Sequence, residues 1–229
     1  FSNNFIHSLG LVANNYTTQI ENRDSLAESY HNITRINTIL LDLCRDTWLY
    51  IGRGVIRQKK NRQAVGSSTM PHKINPINFE NAEGNIGLAN ALFSFFAEKL
   101  PVSRMQRDLS DSTVLRNQGV ALAHSMLAGM QILKGLDRIE ANPGGCTLEL
   151  DTHWEILGEA LQSMLRKHGH NDANEIVKEK TRGAQMTKED YLVLLQSLPL
   201  PEQDKSILSR LTPDTYTGLA GKLVDSLSI

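Results

Sequence analysis

The residue types best suited to chemistry are concentrated in one run, Gly66-Ser67-Ser68-Thr69-Met70-Pro71-His72-Lys73-Ile74-Asn75-Pro76. Two hydroxyls on a Gly-Ser-Ser stretch lead to a lysine and then to Asn-Pro, a pair that favours a helix start. Free N–H groups at such a terminus, the helix dipole and the Lys73 ammonium all favour an anion. The run therefore reads as a place to hold a carboxylate or phosphate beside a reactive serine. It is not a P-loop, because no glycine precedes the lysine at the required spacing. Met70 or Pro71 stands where the lysine of a Ser-x-x-Lys motif belongs, and Gly-x-Ser-x-Gly does not occur here either.

A second group follows. Ser112 and Arg116 are four residues apart, so a helix puts them on one face, and Arg107 lies just before them. Guanidinium forks suit a phosphate, as do the free amides of a first helical turn. Other polar features carry less. Arg53, Arg57, Lys59, Lys60 and Arg62 form a basic run without interleaved aromatics, which reads as a solvated segment that raises the local potential for an anionic substrate. His168-Gly169-His170 lacks metal-ligand spacing. His124 falls in an apolar helix and reads as a packed core histidine, and His72 receives no role.

These groups must be carried by helices, because apolar spacing is helical nearly throughout. Leu26, Ile33, Leu40 and Thr47 step by seven, as do Ser29, Ile36, Leu43 and Tyr50, and together they describe the seam of one long bundle helix. Asp24 or Ser25 can cap its start, and Gly52 and Gly54 mark its end. A rod of nearly 30 residues is about 45 Å long. A second helix is expected from Asn75-Pro76 to about Leu100, rich in small residues that permit close approach. A third is expected over about 112–137, with Ser112 and Arg116 in its first turns. Asn142-Pro143-Gly144-Gly145 reads as a breaker. Shorter helices follow, over about 152–168 and 172–182, after the capping-box-like Thr187–Asp190, and after Pro201 and Thr212-Pro213. No strand alternation stands out. The expected organisation is all-α, with residues 1–137 in a long-helix bundle and 138–229 in a small helical domain.

Composition narrows the class. The 229 residues carry 24 Lys plus Arg against 25 Asp plus Glu, a net charge of −1, which removes the bulk electrostatic argument for nucleic-acid or membrane-surface binding. No apolar window is long and uncharged enough to span a bilayer. Two cysteines are too few for a disulfide framework and suit a reducing cytoplasm. The chain opens Phe-Ser-Asn-Asn, with neither Met nor a signal peptide, so its natural start is expected upstream.

The string Ser67, Ser68, Met70, Pro71, Lys73, Asn75, Pro76 resembles the signature loop of the fumarase/aspartase superfamily, Ser-Ser-x-Met-Pro-x-Lys-x-Asn-Pro, at every fixed position. Tyr16-Thr17-Thr18-Gln19-Ile20-Glu21 and Arg107–Arg116 look like the adenylosuccinate lyase family, the latter most like its bacterial, enterobacterial-type branch. The likeness covers nearly the whole chain, thins at Asn142–Leu148, and matches the C-terminal half of such a protein. It implies part of a helical bundle that assembles into homotetramers with shared active sites. It also implies a carbon–nitrogen lyase of purine biosynthesis that needs no cofactor and no metal. Such an enzyme eliminates fumarate from adenylosuccinate, leaving AMP, and from succinylaminoimidazole carboxamide ribotide. By position, Ser67 is the base. Ser68, Lys73 and Asn75 surround the succinyl carboxylates, Gln19 and Asn81 contact substrate, and Arg107, Ser112 and Arg116 address the nucleotide. The family's general-acid histidine falls outside this chain, so the 229 residues alone are expected to be inactive. Two alternatives share the loop: another superfamily lyase such as argininosuccinate lyase, or a non-catalytic helical oligomerisation module.

Overall fold

A computed structural model describes residues 1–59, 75–181 and 186–227, and the chain separates into two compact units, residues 1–141 and 142–229. The architecture is all-α. In the first unit a short helix α1 (Ser2–Ser8) precedes the long α2 (Asp24–Gly52). Then come strand β1 (Ile56–Gln58), α3 (Ile77–Lys99), α4 (Ser110–Leu115), α5 (Gln118–Leu136) and strand β2 (Ile139–Ala141).

Helix α2 ends where glycine predicts. Gly54 takes φ +77° past the last turn, its N–H reaching Ile51 O at 3.1 Å while Val55 N–H reaches Tyr50 O at 3.0 Å. Its start differs from expectation. Neither Asp24 nor Ser25 is the cap: Arg23 holds that place in a left-handed conformation, φ 63°, with no side-chain capping bond. The seam is also narrower than the heptads imply. Ala27, Tyr30, Asn37, Cys44 and Thr47 are buried and Leu26, Ile33 and Leu40 half-buried, but Ser29, Ile36, Leu43 and Tyr50 face outward. Within one chain α2 packs chiefly on α3, and a single neighbour covers only one stripe of a helix.

The core of this unit is two apolar clusters with a polar layer between them. One gathers Tyr30, Ala89, Phe93, Phe96, Val114 and Ala121, the other Cys44, Phe79, Ala82, Ile86, Ala128 and Ile132. Between them Asn37, 1% exposed, donates to Asn90 Oδ1 at 2.9 Å and accepts from Ser125 Oγ at 2.7 Å. The Tyr30 hydroxyl donates to Gln118 Oε1. Both the Tyr30–Gln118 and Asn37–Ser125 pairs span 88 positions, so α2 and α5 run parallel in one register, antiparallel to α3 between them.

Three further expectations change. The third long helix is broken at Arg116-Asn117 into α4 and α5, because the backbone turns there before the chain climbs along α3. Two strands form after all, each too short to show an alternation, with Ile56 opposite Ala141 and Gln58 opposite Ile139 in an antiparallel ribbon. The 142–145 breaker falls where strand β2 ends and the second unit begins, but it also opens a helix, α6 (Pro143–Asp151), with Pro143 at the position where its missing N–H costs nothing.

The second unit continues with a 3₁₀ turn (Trp154–Leu157), α7 (Gly158–Lys167), α8 (Ala173–Thr181), α9 (Lys188–Ser197), α10 (Glu202–Leu208) and α11 (Ala220–Asp225). The expected 152–168 helix thus divides in two, and Thr212-Pro213 makes a turn rather than a helix start. The Thr187 capping box forms as expected, the hydroxyl accepting from Asp190 N–H at 3.2 Å and the Asp190 carboxylate from Thr187 N–H at 3.0 Å. The core holds Leu157, Leu161, Leu165, Val177, Tyr191, Leu195 and Leu208, with the buried Tyr191 hydroxyl donating to Leu208 O at 2.9 Å.

Candidate active site

Two segments carrying expected site residues are held together in the first unit. Thr18 Oγ1, next to Gln19, donates to Gln106 O, next to Arg107, at 2.9 Å. Arg23 Nη2 meets Asp111 Oδ2, next to Ser112, at 2.8 Å, with side-chain exposures of 21% and 9%. Both contacts span 88 positions, so the register of α2 against α5 extends past their ends. The Gln19 segment is thereby fixed beside the Arg107–Arg116 segment.

Each segment has its own local lock. Glu21 Oε2 accepts from Arg23 N–H at 2.6 Å and Glu21 Oε1 from Asn14 Nδ2 at 3.2 Å, which holds the chain through the left-handed Arg23. On the other side, Asp108 accepts from the Ser110 hydroxyl, from Ser110 N–H at 2.9 Å and from Arg104 N–H at 3.1 Å, while its own N–H reaches Ser103 Oγ at 3.0 Å. Those bonds, the Ser110 hydroxyl first, hold the Asp108 carboxyl down at about 2, so this turn stays charged across ordinary pH. Among the described residues the non-glycine residues at positive φ are Arg23 and Met105, 63° and 53°, one on each segment. Strain of this kind survives where surrounding contacts over-determine the backbone.

Two guanidinium groups stand on the second segment, among the carboxylates of Asp108 and Asp111. Arg107 and Arg116 are exposed, and Ser112 is half-buried within α4. Arg116 is the last, capping residue of α4 rather than part of the first turn of a long helix, so the expected gift of free helix amides does not apply to it. Burial raises the Tyr30 hydroxyl above its usual range, with Arg23 pulling partly the other way.

The remaining expected residues lie elsewhere. Asn75 and Asn81, both exposed, sit at the start of α3, whereas Arg107 follows its far end. From Asn81 to Leu100 the helix rises about 28 Å. One chain therefore does not bring Asn75 and Asn81 to Gln19, Arg107, Ser112 and Arg116. Ser67, Ser68 and Lys73, like most of the signature loop, lie outside the described residues. Next to Asn81, Glu80 Oε1 accepts from the Trp48 indole N–H at 3.0 Å, and Arg45 meets Glu83 at 2.9 Å, tying this end of α3 to α2.

Several polar groups find other uses. His124 is half-buried rather than a packed core residue, its Nδ1 at 2.7 Å from Asn85 Oδ1. In the basic run, Arg57 pairs with Glu140 across the ribbon at 2.7 Å and Lys59 Nζ donates to Asp137 O at 3.0 Å; Lys60 and Arg62 lie outside the described residues. His168 Nε2 sits 2.6 Å from Asp204 Oδ2, a tie between α7 and α10, and that hydrogen bond holds the Asp204 carboxyl below its usual range. Sequence reasoning missed Arg23, Asp111 and Asn85, each of which has a partner on another element that no linear spacing announces, and it missed Asp108, whose partners are all within five residues.

A family model described as "Adenylosuccinate lyase C-terminal" matches residues 103–217, and one described as "Lyase" matches residues 2–89. The chain is similar to the adenylosuccinate lyase of Legionella pneumophila, 52% identical over 98% of this chain and 49% of that protein. It is also similar to the adenylosuccinate lyase of Escherichia coli, 47% identical over 99% of this chain and 50% of that one. It thus spans about half the length of these curated relatives. In fold it is similar to the crystal structure of 3-carboxy-cis,cis-muconate lactonizing enzyme from Pseudomonas putida, with a TM-score of 0.71, 22% identity and coverage of 96% of this chain and 50% of that one. The two family models together take in both the segment that carries Gln19 and the segment that carries Arg107, Ser112 and Arg116, and on that ground the chain belongs to the adenylosuccinate lyase family.

Proposed function

We propose that the full-length protein is an adenylosuccinate lyase, eliminating fumarate from adenylosuccinate to leave AMP and from succinylaminoimidazole carboxamide ribotide. The observation that carries this reading is the fixed juxtaposition of the Gln19 segment with the Arg107–Arg116 segment, in a chain of this family. In this reading Arg107, Ser112 and Arg116 supply the guanidinium forks and the hydroxyl that suit a nucleotide phosphate, and Gln19 contacts the same ligand.

The elimination needs three things: a base for the Cβ proton, stabilisation of the dianionic carboxylate that results, and an acid for the departing nitrogen. Ser67 is the base in this proposal. Lys73 supplies the positive charge that lowers the cost of its alkoxide, Ser68, Lys73 and Asn75 surround the succinyl carboxylates, and Asn81 contacts the substrate. The general acid is a histidine supplied from outside this chain. The units correspond to part of the central bundle and to a small C-terminal domain.

The same reading makes the enzyme a homotetramer whose sites are shared between subunits. The length of α3 between Asn81 and Arg107 supports it, since a small substrate cannot bridge about 28 Å. So does the apolar surface that the three long helices leave outward, including Ile39 on α2, Leu88 on α3 and Met126 on α5. Among the described residues no helix is long and apolar enough to cross a membrane, and cytoplasmic residence is part of the proposal.

The decisive experiment is Ser67→Ala in the full-length protein, followed by fumarate release. Loss of about 10²–10⁴-fold in turnover is expected of a general base. Unchanged turnover refutes the assignment. Activity on argininosuccinate instead of adenylosuccinate would move the protein to another branch of the superfamily, and no elimination of either by the unsubstituted enzyme would favour a purely structural module.

A further inference from the structure

We propose that Asn85 and His124 are positioning residues that orient the side chain of Asn81, so that Asn81 presents its amide N–H₂, not its oxygen, to the ligand. The proposal rests on the reading of Asn81 as a substrate contact. It goes beyond that reading by fixing which end of the amide does the contacting and which residues impose it.

The geometry determines the direction of every bond. Asn85 Nδ2 lies 2.8 Å from Asn81 O, one turn back on α3. A backbone carbonyl can only accept, so this atom of Asn85 is the amide nitrogen, and its other terminal atom is the oxygen. That oxygen is 2.7 Å from His124 Nδ1, so Nδ1 carries a hydrogen and donates across from α5. The same Asn85 Nδ2 lies 3.1 Å from Asn81 Oδ1 and donates to it as well. Asn81 Oδ1 is therefore engaged from behind. Its Nδ2 makes no hydrogen bond to any described residue and remains as the exposed face.

An amide so held is a pure donor. It suits an acceptor such as a carboxylate, whose negative charge strengthens the bond, and it disfavours a ligand N–H₃⁺ or N–H₂. Asn85 is half-buried between α3 and α5, which keeps competing water away from one side of the relay.

The test uses the full-length enzyme and steady-state kinetics of fumarate release. Asn85→Leu removes both the donor and the acceptor; the expected result is a KM raised about two- to tenfold, the worth of one net hydrogen bond, with kcat changed much less. Asn85→Asp keeps the acceptor for His124 but loses the donor to Asn81, so it should match Asn85→Leu. His124→Gln, whose amide can still donate to Asn85, should retain the low KM that His124→Leu loses. In an Asn81→Ala background, Asn85→Leu should have no further effect on KM. Full additivity of the two substitutions, or unchanged KM in Asn85→Leu and Asn85→Asp, overturns the relay. If Asn81→Ala itself leaves KM and kcat unchanged, the substrate-contact reading fails and takes the relay with it, a result distinct from additivity. Should Asn85→Leu not fold, Asn85→Asp and the His124 pair carry the same comparison.

Discussion

Breaking the Arg23–Asp111 pair should cost both stability and substrate affinity, and the structure gives the scale. The charges are 2.8 Å apart with side-chain exposures of 21% and 9%. At an effective dielectric near 20, charges about 4 Å apart attract by about 4 kcal/mol, and much of that is offset by desolvation. Removing one partner of a fully buried pair costs about 3–5 kcal/mol, whereas exposed pairs contribute about 0.2–1 kcal/mol. A pair one-fifth open on the arginine side falls between, so Asp111→Ala should destabilise by about 2–3 kcal/mol. Most of that is the penalty of a stranded guanidinium. The double variant Arg23→Met/Asp111→Leu should therefore be more stable than Asp111→Ala alone. Arg23 also sits at φ 63°, where an L-residue pays about 1–2 kcal/mol that glycine does not. Arg23→Gly should accordingly be about 1 kcal/mol better than Arg23→Ala, although both lose the pair. Urea unfolding of the full-length protein gives the cycle of Arg23→Ala, Asp111→Ala and the two combined, and KM for the succinyl nucleotide should rise with the single substitutions, because they free the Gln19 segment from the Arg107–Arg116 segment. Additive single and double effects, or a loss below about 0.5 kcal/mol for Asp111→Ala, would show that this contact does not hold the two segments together.

Other perturbations have equally definite outcomes. A Cβ on Gly135 would stand 2.7 Å from the buried Phe79 ring, so Gly135→Ala should destabilise by about 1–2 kcal/mol despite better helix propensity, while Gly129→Ala, with open space around it, should not destabilise; thermal melting compares them. Thr187→Ala should remove the capping box and cost about 1 kcal/mol in urea unfolding, with Thr187→Ser recovering most of it. Asp204 has a folded-state pKa held below its unfolded value by the His168 hydrogen bond, so its contribution is present above about pH 4 and fades as pH falls through the lower folded value; denaturation followed from pH 5 to pH 3 should show this acid loss, and Asp204→Asn should flatten it.

The helices were legible in the sequence because their signals are local. Apolar periodicity marked α2, glycine marked its end at Gly54, and Thr187 with Asp190 marked the start of α9. Where the local signal was ambiguous, the reading erred. Ile36, Leu43 and Tyr50 carry the right period but face outward, because periodicity shows that a stripe is apolar without showing which neighbour covers it. The break at Arg116-Asn117 has no glycine or proline to announce it.

By itself the sequence determined the chemistry on offer: serines and a lysine in a loop with a family signature, and a set of arginines and a serine suited to a phosphate. Residue type and spacing carry that information because functional groups are chosen for what they can donate, accept or bear as charge. Only the tertiary structure decided which of these groups meet. The parallel register of α2 and α5 fixes Gln19's segment beside Arg107's, and the length of α3 keeps Asn75 and Asn81 at the other end. It also gave Asn81 a direction, through an amide on its own helix and a histidine on the next. Contacts spanning 88 positions are set by how helices pack, and packing depends on all the side chains between them at once.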